Sequence, residues 1–567
     1  MPRNCDAMSA AADSLSHVVG DTHPPLRHVT IPVLLHETAR RHALRDAVVV
    51  PHEGHRLSYS DLVGEVDALA TGLLDLGIVR GDRVGIWSPN RLEWVLTQFA
   101  TARIGAVLVN INPAYRLAEL EFALNKVACK ALVTAERFKS SDYLGMVRTL
   151  APEMEHCPPG QLVSRRLPDL RCVIAMGDEP DPGFLRFSDV ARPPDAARLD
   201  AIGIEPSDAI NIQFTSGTTG TPKGATLSHH NIVNNAGFVT DRMRFSETDR
   251  LCIPVPLYHC FGMVMGVLGC VTKGAAMVFP GEGFDAARTL EAVTAERCTA
   301  LYGVPTMFIA MLDELAGHVS CAYDLSALRT GIMAGASCPI EVMRRATHEM
   351  NMPEITICYG MTETSPVSFQ SHVDDPLARR VATVGRIHPH IEAKVVDRDG
   401  TTLARGKRGE LLVRGYAVMK GYWDDDDRTG EAIVDGWMHT GDLAIVDNEG
   451  FCAIVGRVKD MIIRGGENVY PREIEEFLHH HPGISQAQVF GIPDARYGEQ
   501  VCAWVIPERD ADLQGQDVID FCTGQIAHFK VPRHVRIVDT LPMTVTGKPQ
   551  KFIMRDWMIE RGYVDAD

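Results

Sequence analysis

The stretch FTSGTTGTPKGA, residues Phe214–Ala225, directly follows a strand-like run at Ala209–Phe214 (AINIQF). Serine, threonine and glycine at this density cannot pack into a core, but their hydroxyls and unhindered backbone N–H groups can surround phosphate oxygens. Lys223 adds a cation for the negative charge. The order differs from a Walker A loop, because Gly224 rather than serine or threonine follows the lysine. The stretch therefore predicts a strand that carries a phosphate-binding loop at its end.

Short β-branched runs alternate with helix-like segments on both sides of this loop. Leu92–Arg103 predicts a helix, and strands are predicted at Ala47–Val50, Arg83–Trp87, Ala106–Asn110, Arg250–Val255, Ala275–Phe279, Ala300–Val304 and Ile355–Cys358. Alternating strands and helices are typical of parallel sheets with both faces covered. Ligands of such folds bind at the carboxyl ends of the strands, where the phosphate-binding loop is also expected.

Composition excludes several classes of protein. The chain has 567 residues, of which 45% are hydrophobic and 23% charged, as in ordinary globular proteins and unlike disordered, collagen-like or coiled-coil chains. The net charge of −17 argues against a nucleic-acid partner, which would require a basic surface. It does not exclude an anionic ligand held by a few local cations.

The cysteines and the ends of the chain bear on the compartment. The 14 cysteines are scattered without C-x-x-C spacing, which favours buried free thiols in a reducing compartment. Met1–Pro25 has no apolar signal region and is interpreted as a disordered tail. The longest apolar stretch, Phe261–Val271, is too short to span a bilayer. We therefore expect a cytoplasmic protein with no integral membrane segment.

Four further motifs follow the Phe214–Ala225 stretch along the chain. They are YGMTET at Tyr359–Thr364, WMHTGD at Trp437–Asp442, GRVKDMIIRGGENV at Gly456–Val469 and PMTVTGKPQK at Pro542–Lys551. The five motifs, in this order, resemble those of the adenylate-forming superfamily, which includes acyl-CoA synthetases, adenylation domains of peptide synthetases and luciferases. The resemblance covers nearly the whole chain and is strongest to fatty-acyl-CoA synthetases of the medium-chain group.

The resemblance implies an α/β fold with two domains. A large N-terminal domain of stacked, helix-covered sheets with a β-barrel-like subdomain would bind AMP and the acyl group over residues 26–457. A small α+β C-terminal cap would occupy residues 458–567 and rotate about a hinge at 457–460, with Lys459 and Asp460 as hinge residues. The segments also become shorter and more mixed from Gly456 onward.

The same resemblance assigns the nucleotide site. Tyr359 would stack on adenine, Asp442 would accept the ribose hydroxyls, and Glu363 would hold Mg²⁺ with the phosphate oxygens. Catalytic roles are expected for Lys548, Thr215, Lys223, His259 and Glu363. Contacts to ATP or AMP are expected from Thr215, Ser216, Gly217, Thr218, Thr219, Gly220, Lys223, Gly335, Ala336, Ser337, Tyr359, Gly360, Met361, Thr362, Asp442, Arg457 and Lys548.

The other two substrates have weaker assignments. CoA is expected to contact Arg464, Gly465, Gly466 and Glu467, where glycine lets the pantetheine arm pass close to the backbone. His259 would lie between the acyl pocket and the CoA tunnel. The acyl pocket itself is expected to include His259, Phe261, Val304, Met333, Met361 and Val367, which are mostly apolar.

The resemblance thus implies an AMP-forming fatty acid–CoA ligase with ATP, Mg²⁺ and CoA, acting on medium-chain fatty acids. Long-chain and aryl acids remain alternatives, as does an acyl-AMP or aryl-AMP ligase for another carboxylic acid or for a carrier protein, although no carrier domain follows Lys551. A non-catalytic acyl- or nucleotide-binding protein is a remote alternative. The partners expected are small-molecule substrates, and a homodimer is left open.

Overall fold

A computed structural model describes residues 15–177, 182–215, 222–317, 322–336, 338–465, 467–509, 511–544 and 547–561. Four main sheets organise this part of the chain: two large mixed sheets, one antiparallel sheet and one smaller C-terminal sheet. Among the described residues, no helix is both long and apolar enough to cross a membrane.

The first large sheet carries the predicted phosphate-binding hairpin. Six of its eight strands are parallel, and the last two add antiparallel at one edge. In spatial order the strands are Leu185–Arg186, Cys172–Met176, Ala131–Ala135, Arg83–Trp87, Val107–Asn110, Ala209–Thr215, Lys223–Ser228 and Gly421–Tyr422. The buried β-branched runs predicted from the sequence form its centre, since strands covered on both faces need apolar side chains throughout.

The second large sheet has nine strands, with six parallel strands at its centre. In spatial order they are Arg386–Ile387, Val367–Gln370, Glu354–Gly360, Thr330–Met333, Ala300–Gly303, Arg250–Cys252, Ala276–Val278, Asp46–Val50 and His55–Ser58. The carboxyl ends of its parallel strands share one edge, which brings together segments far apart in the sequence.

The antiparallel sheet is the additional subdomain expected within the N-terminal region. Its strands are His17–Val19, Ile391–Val396, Arg408–Gly415, Trp437–Val446, Ile433–Val434 and Cys452–Arg457. The disordered tail predicted up to Pro25 is wrong in its extent, because His17–Val19 pairs with Ile391–Val396 and Val18 is buried. These three residues form an edge strand of the sheet. The strand is held by backbone hydrogen bonds, which leave no pattern in the sequence.

The C-terminal part forms its own small sheet and cores. The strands are Glu467–Val469, Ile462–Arg464, Gly498–Pro507, Ile484–Asp494 and His534–Ile537. One large hydrophobic cluster runs from Val18 to Cys452, whereas buried residues from Ile462 onward form separate clusters. The predicted α/β fold with a small α+β C-terminal unit is confirmed.

Helices cover the sheets. The α-helices are Ile31–His42, Tyr59–Asp75, Leu92–Arg103, Leu117–Lys126, Tyr143–Leu150, Phe187–Val190, Ala196–Asp200, His229–Arg242, Gly269–Lys273, Ala286–Ala295, Pro305–Ala316, Ile340–Glu349, Leu377–Ala382, Asp426–Ala432, Pro471–Leu478, Gly515–Cys522 and Lys551–Glu560. A π-helix spans Phe261–Leu268, and 3₁₀ turns lie at Pro51–Glu53, Pro152–His156, Thr362–Thr364 and His528–Lys530. A two-stranded hairpin pairs Arg137–Phe138 with Ser141–Asp142.

The helix His229–Arg242 begins directly after the phosphate-binding hairpin because Ser228 caps it. The Ser228 hydroxyl accepts from the Asn231 backbone N–H, and the Asn231 side chain accepts from the Ser228 backbone. His229, the first helical residue, is fully buried, and its Nδ1 accepts a hydrogen bond from the Ile31 backbone N–H at 3.1 Å. Burial lowers the pKa of His229 to about 3.

This histidine makes folding stability depend on pH. Its folded pKa lies below its unfolded value of about 6.5, so below pH 6.5 the unfolded chain binds a proton that the folded chain excludes until about pH 3. Between pH 7.5 and 5.5 the free energy of unfolding should fall by about 1.4 kcal/mol through this group. Urea unfolding of the wild type and of His229→Asn tests this. An equal pH-dependent loss in both proteins would contradict it.

Candidate active site

The phosphate-binding hairpin places Thr215 and Lys223 side by side. They are paired across the antiparallel strands Ala209–Thr215 and Lys223–Ser228, so both border the connecting loop. The residues between them that are predicted to contact ATP or AMP lie outside the described residues: Ser216, Gly217, Thr218, Thr219 and Gly220. The Lys223 ammonium lies 4.8 Å from the centre of the Tyr422 ring.

Glu363 connects this hairpin to the second large sheet. It lies in the 3₁₀ turn Thr362–Thr364 just past the strand Glu354–Gly360, with 6% of its surface exposed. Its Oε1 accepts hydrogen bonds from the Tyr422 hydroxyl at 2.9 Å and from Thr215 Oγ1 at 3.3 Å. Neither bond uses Oε2. One oriented carboxylate beside a phosphate-binding loop fits Mg²⁺, which prefers few protein ligands together with substrate phosphates.

Asp442 forms a second polar centre. It lies opposite Arg457 on adjacent antiparallel strands, and Arg457 Nε donates to its Oδ1 at 3.0 Å. The Tyr359 hydroxyl donates to Oδ2 at 2.6 Å. The Asp442 charge raises the pKa of Arg457, and burial with the same charge holds the pKa of Tyr359 well above its ordinary value. Each oxygen keeps a second lone pair with which to accept a ribose hydroxyl.

The predicted adenine-contacting residues lie at one edge of the second sheet. Gly335 and Ala336 follow the strand Thr330–Met333, while Gly360 and Met361 end and follow its parallel neighbour Glu354–Gly360. Gly335 has φ of +89°, a left-handed conformation that favours glycine, and it is exposed. Thr362 is buried beneath this edge. Ser337 lies outside the described residues.

Lys548 comes to the same site from the C-terminal unit. Burial and the nearby charge of Arg457 lower its pKa, while Asp442 and Glu363 raise it. A hydrogen bond from the Lys548 backbone N–H to Thr544 Oγ1, at 2.9 Å, ties Lys548 to the residue four positions before it. Gly547 packs closely on the N-terminal region: a Cβ there would lie 2.8 Å from Val304 Cγ2, and its φ is +75°. Residues 215, 363, 442 and 548 therefore converge.

The predicted acyl-pocket residues occupy the same sheet edge. Val304 and Met333 lie at the ends of adjacent parallel strands, and Val367 pairs with Gly360. Phe261 packs against Tyr302 with ring centres 5.3 Å apart. These four residues of the predicted pocket are buried, whereas a fifth, Met361, is half-buried.

His259 lies beside this edge as a neutral base. Its Nδ1 accepts from the Phe261 backbone N–H at 3.2 Å. Burial and the Lys548 charge lower its pKa to about 3. The imidazole is therefore neutral at physiological pH.

A cleft of about 930 Å³ opens between the two parts of the chain near Gly547. Its walls include Tyr258, Thr306 and Met307 from the N-terminal region, and Met543 and Thr544 from the C-terminal part. None of the predicted acyl-pocket residues lines it. The cleft leads to the loop that carries Lys548.

The predicted CoA-contacting residues form a hairpin on the C-terminal sheet. Arg464 pairs with Glu467, and Gly465 follows Arg464 with φ of +60°. Gly466 lies outside the described residues. The Arg464 side chain donates to Gln500 Oε1 at 2.7 Å and lies over the Tyr497 ring. The predicted hinge residues Lys459 and Asp460 form an exposed turn after the strand Cys452–Arg457.

Tyr422 is a site residue that the sequence analysis missed. It belongs to the short edge strand Gly421–Tyr422, far along the chain from both of its site partners. Its contacts to Glu363 and Lys223 depend on that strand adding to the edge of the first sheet. The Gly-Tyr pair after Lys420 was the available signal, but it lies in an Asp-rich stretch that is typical of a loop.

Comparison with known proteins identifies the class. Residues 35–423 match the AMP-binding enzyme family, and residues 473–548 match the AMP-binding enzyme C-terminal domain. The chain belongs to this family of adenylate-forming enzymes, which confirms the resemblance seen in the motifs.

Individual relatives cover nearly the whole chain. The mitochondrial medium-chain acyl-CoA ligase ACSF2 of Danio rerio is 46% identical, over 95% of this chain and 90% of its own. The crystal structure of the anthranilate CoA ligase AuaEII with anthranoyl-AMP has a TM-score of 0.82 at 25% identity, covering 94% of this chain and 98% of its own. ATP-bound MatB from Rhodopseudomonas palustris has a TM-score of 0.79 at 29% identity, covering 94% and 99%.

The Tyr422 hydroxyl should matter for metal binding. In Tyr422→Phe the ring remains beside Lys223, but Glu363 loses the hydrogen bond that orients it. Loss of such a supporting bond typically weakens metal affinity about 10-fold or more. We expect a rise of about this size in the Mg²⁺ concentration that half-saturates ATP-dependent adenylate formation. Tyr416→Phe, which removes another buried hydroxyl bonded to Asn235, is the matched control, and an equal Mg²⁺ requirement in both variants would contradict the assignment.

Proposed function

We propose that this protein is an ATP-dependent fatty acyl-CoA synthetase that converts a fatty acid, ATP and CoA into acyl-CoA, AMP and diphosphate through an acyl-adenylate. The observation that carries the proposal is that Thr215, Lys223, Glu363 and Lys548 converge where the two large sheets meet the C-terminal unit. Two anions, a carboxylate and a triphosphate, must meet there for adenylation, and oriented cations lower the barrier to that encounter. The acyl-CoA ligase relative at 46% identity supports the thioester product.

Each side chain has a role in the first half-reaction. Lys223 and the hydroxyl of Thr215 neutralise and orient the phosphates, and Glu363 would hold Mg²⁺, which supplies further positive charge to the phosphate oxygens. Asp442 accepts the ribose hydroxyls and Tyr359 packs against adenine. Lys548 stabilises negative charge at the α-phosphate as the carboxylate attacks and pyrophosphate leaves.

The second half-reaction requires Lys548 to leave so that the CoA thiol can reach the adenylate. We propose that residues 458–567 form a cap that rotates about a hinge at 457–460, against an N-terminal domain that ends at residue 457 and includes the edge strand His17–Val19. The separate hydrophobic clusters on either side of residues 453–461 support this division, since few core contacts would break. Rotation would present the Arg464–Glu467 hairpin to the site.

Medium-chain fatty acids are the proposed substrates, because the relative at 46% identity is named as a medium-chain ligase. Phe261, Val304, Met333 and Val367 are all apolar and buried, which suits an alkyl chain. An aryl acid is the second candidate, favoured by the structural similarity to an anthranilate CoA ligase. We place the enzyme in the cytoplasm, in keeping with the free thiols of the described cysteines.

A substrate panel tests the function directly. Pyrophosphate release should be measured with fatty acids of 4 to 16 carbons and with aryl acids such as anthranilate and benzoate, with and without CoA. We expect the highest kcat/KM near eight to ten carbons and an acyl-CoA product. Release without a CoA thioester would instead indicate an acyl-AMP ligase. No release with any acid would contradict the proposal altogether.

Lys548→Ala should separate the half-reactions. Adenylate formation from ATP and acid should fall by at least about 100-fold, because the charge that forms at the α-phosphate loses its cation. Thioester formation from synthetic acyl-adenylate and CoA should persist. Lys530→Ala, which removes another C-terminal lysine that pairs with Glu473, is the control and should leave both steps intact. Equal loss of both steps in Lys548→Ala would exclude this division of roles.

Lys459→Pro tests the proposed hinge. Proline restricts the backbone at residue 459 and at the residue before it, so rotation should be hindered while the present arrangement, with Lys548 in the site, is retained. Thioester formation should slow by about 10-fold or more relative to adenylation, as measured by stopped-flow or quench experiments on the same preparation. Wild-type rates for both steps would show that the hinge lies elsewhere.

A further inference from the structure

A buried chain of amide side chains lies beneath the site and joins two parts of the N-terminal region. It consists of Asn110, Asn211 and Gln213, which are 1–3% exposed. Asn110 ends the strand Val107–Asn110, and Gln213 lies directly opposite it on the parallel strand Ala209–Thr215. A buried amide without a hydrogen-bond partner would destabilise the fold, so buried amides are normally hydrogen-bonded. The partners of these three amides therefore show which segments they hold in place.

The amides bond to one another in sequence. Gln213 Nε2 donates to Asn211 Oδ1 at 2.9 Å, and Asn211 Nδ2 donates to Asn110 Oδ1 at 2.9 Å. Asn211 Nδ2 also donates to the Leu108 carbonyl at 3.1 Å. Asn110 and Gln213 direct their remaining hydrogen bonds at the segment 258–263, which follows the strand Arg250–Cys252 of the other large sheet. The chain therefore connects the first sheet to a segment that follows a strand of the second.

Three points on that segment are held. Asn110 Nδ2 donates to the Tyr258 carbonyl at 2.8 Å, and the Cys260 thiol donates to Gln213 Oε1 at 3.1 Å. Both amides also reach Met263 Sδ, at 3.3 and 3.4 Å. Gly262 packs tightly on the residues that lead into the segment, because a Cβ there would lie 2.5 Å from the Pro256 carbonyl oxygen.

The held segment contains the neutral imidazole of His259, between the bonded residues Tyr258 and Cys260. On its other side, Cys260 lies near the Glu363 turn: burial raises the pKa of its thiol, and the Glu363 charge adds to that rise. Gln213 itself lies two residues before Thr215, which bonds to Glu363. The Gln213 side chain thus joins the phosphate-binding strand to the segment that carries His259.

We propose that Gln213 is a positioning residue that fixes His259 at the acyl site and thereby sets which acid chain lengths are accepted. The inference rests on the proposed acyl-CoA synthetase function and adds a specificity determinant to it. Gln213 does not touch the substrate. It acts through Cys260 and the Tyr258–Met263 segment, so its loss should change discrimination between acids more than the handling of ATP.

The test compares Gln213→Met with Gln370→Met. Gln370 is also fully buried, and its amide donates to Val239 O and Thr356 Oγ1 while its oxygen contacts His388, with no hydrogen bond to segment 258–263. In Gln213→Met we expect kcat/KM for octanoate to fall about 10-fold, the octanoate-to-dodecanoate ratio to change at least threefold, and KM for ATP to stay within twofold. In Gln370→Met the ratio should equal that of the wild type.

A second pair of variants covers the case in which Gln213→Met does not fold. Cys260→Ser keeps a donor to Gln213 and should retain the wild-type chain-length ratio, whereas Cys260→Ala should shift it as Gln213→Met does. Cys270→Ala is the control for loss of another fully buried thiol. Equal ratios in Cys260→Ser and Cys260→Ala, or a wild-type ratio in folded Gln213→Met, would overturn the inference.

Failure of the proposed function would look different, because the wild type itself would then make no acyl-CoA from any acid. The positioning role can be measured without turnover as well. The imidazole ¹⁵N signals of His259, assigned with His259→Gln, should move in Gln213→Met and remain in place in Gln370→Met. Unmoved signals in Gln213→Met would show that Gln213 does not position His259.

Discussion

The hydrogen bonds to Glu363 Oε1 join three distant segments of the chain. Thr215 comes from the first large sheet, Tyr422 from a short strand at its edge, and Glu363 from a turn at the end of a strand in the second sheet. A carboxylate with 6% of its surface exposed is costly to bury unless it is bonded and oriented. The two sheets must therefore meet with these edges facing each other, and this is where we propose that the phosphates, the metal and the acid meet.

The net charge of −17 does not prevent the binding of polyanionic substrates, because the cations are concentrated at the site. Affinity for such ligands depends on a few cations placed in one cleft, and the bulk charge of the surface matters less. Lys223 comes from the hairpin, Arg457 from the antiparallel sheet and Lys548 from the C-terminal unit. Asp442 and Glu363 lie among these cations, so positive and negative side chains of the site lie near one another.

The arrangement captured here has Lys548 in the site, whereas the proposed CoA hairpin lies on the C-terminal sheet with Arg464 engaged by Gln500 and Tyr497. These contacts within the C-terminal unit would survive a rigid rotation, because they do not involve the N-terminal region. The contacts of Gly547 with Val304 would not survive it. The reaction we propose therefore breaks the contact of Gly547 with Val304 and leaves the hydrophobic clusters within each part intact.

Local sequence determined much of this protein. Buried β-branched runs at Arg83–Trp87 and Ala300–Val304 specify central strands, because such strands tolerate little besides apolar side chains. Short motifs such as those at Phe214–Ala225 and Tyr359–Thr364 carry their chemistry within a few residues, so they could be read without a structure. The family and the α/β fold followed from these features.

Tertiary structure decided what depends on contacts between segments far apart in the chain. The strand at His17–Val19, the hydroxyl of Tyr422 beside Glu363, and the amide chain from Asn110 to Cys260 all depend on long-range contacts. Their separations run from 47 residues, between Gln213 and Cys260, to 377 residues, between His17 and Lys394. No local pattern signals them, because each residue type is also common in loops and cores. Their roles become visible only when the sheets bring the segments together and burial makes every polar atom require a partner.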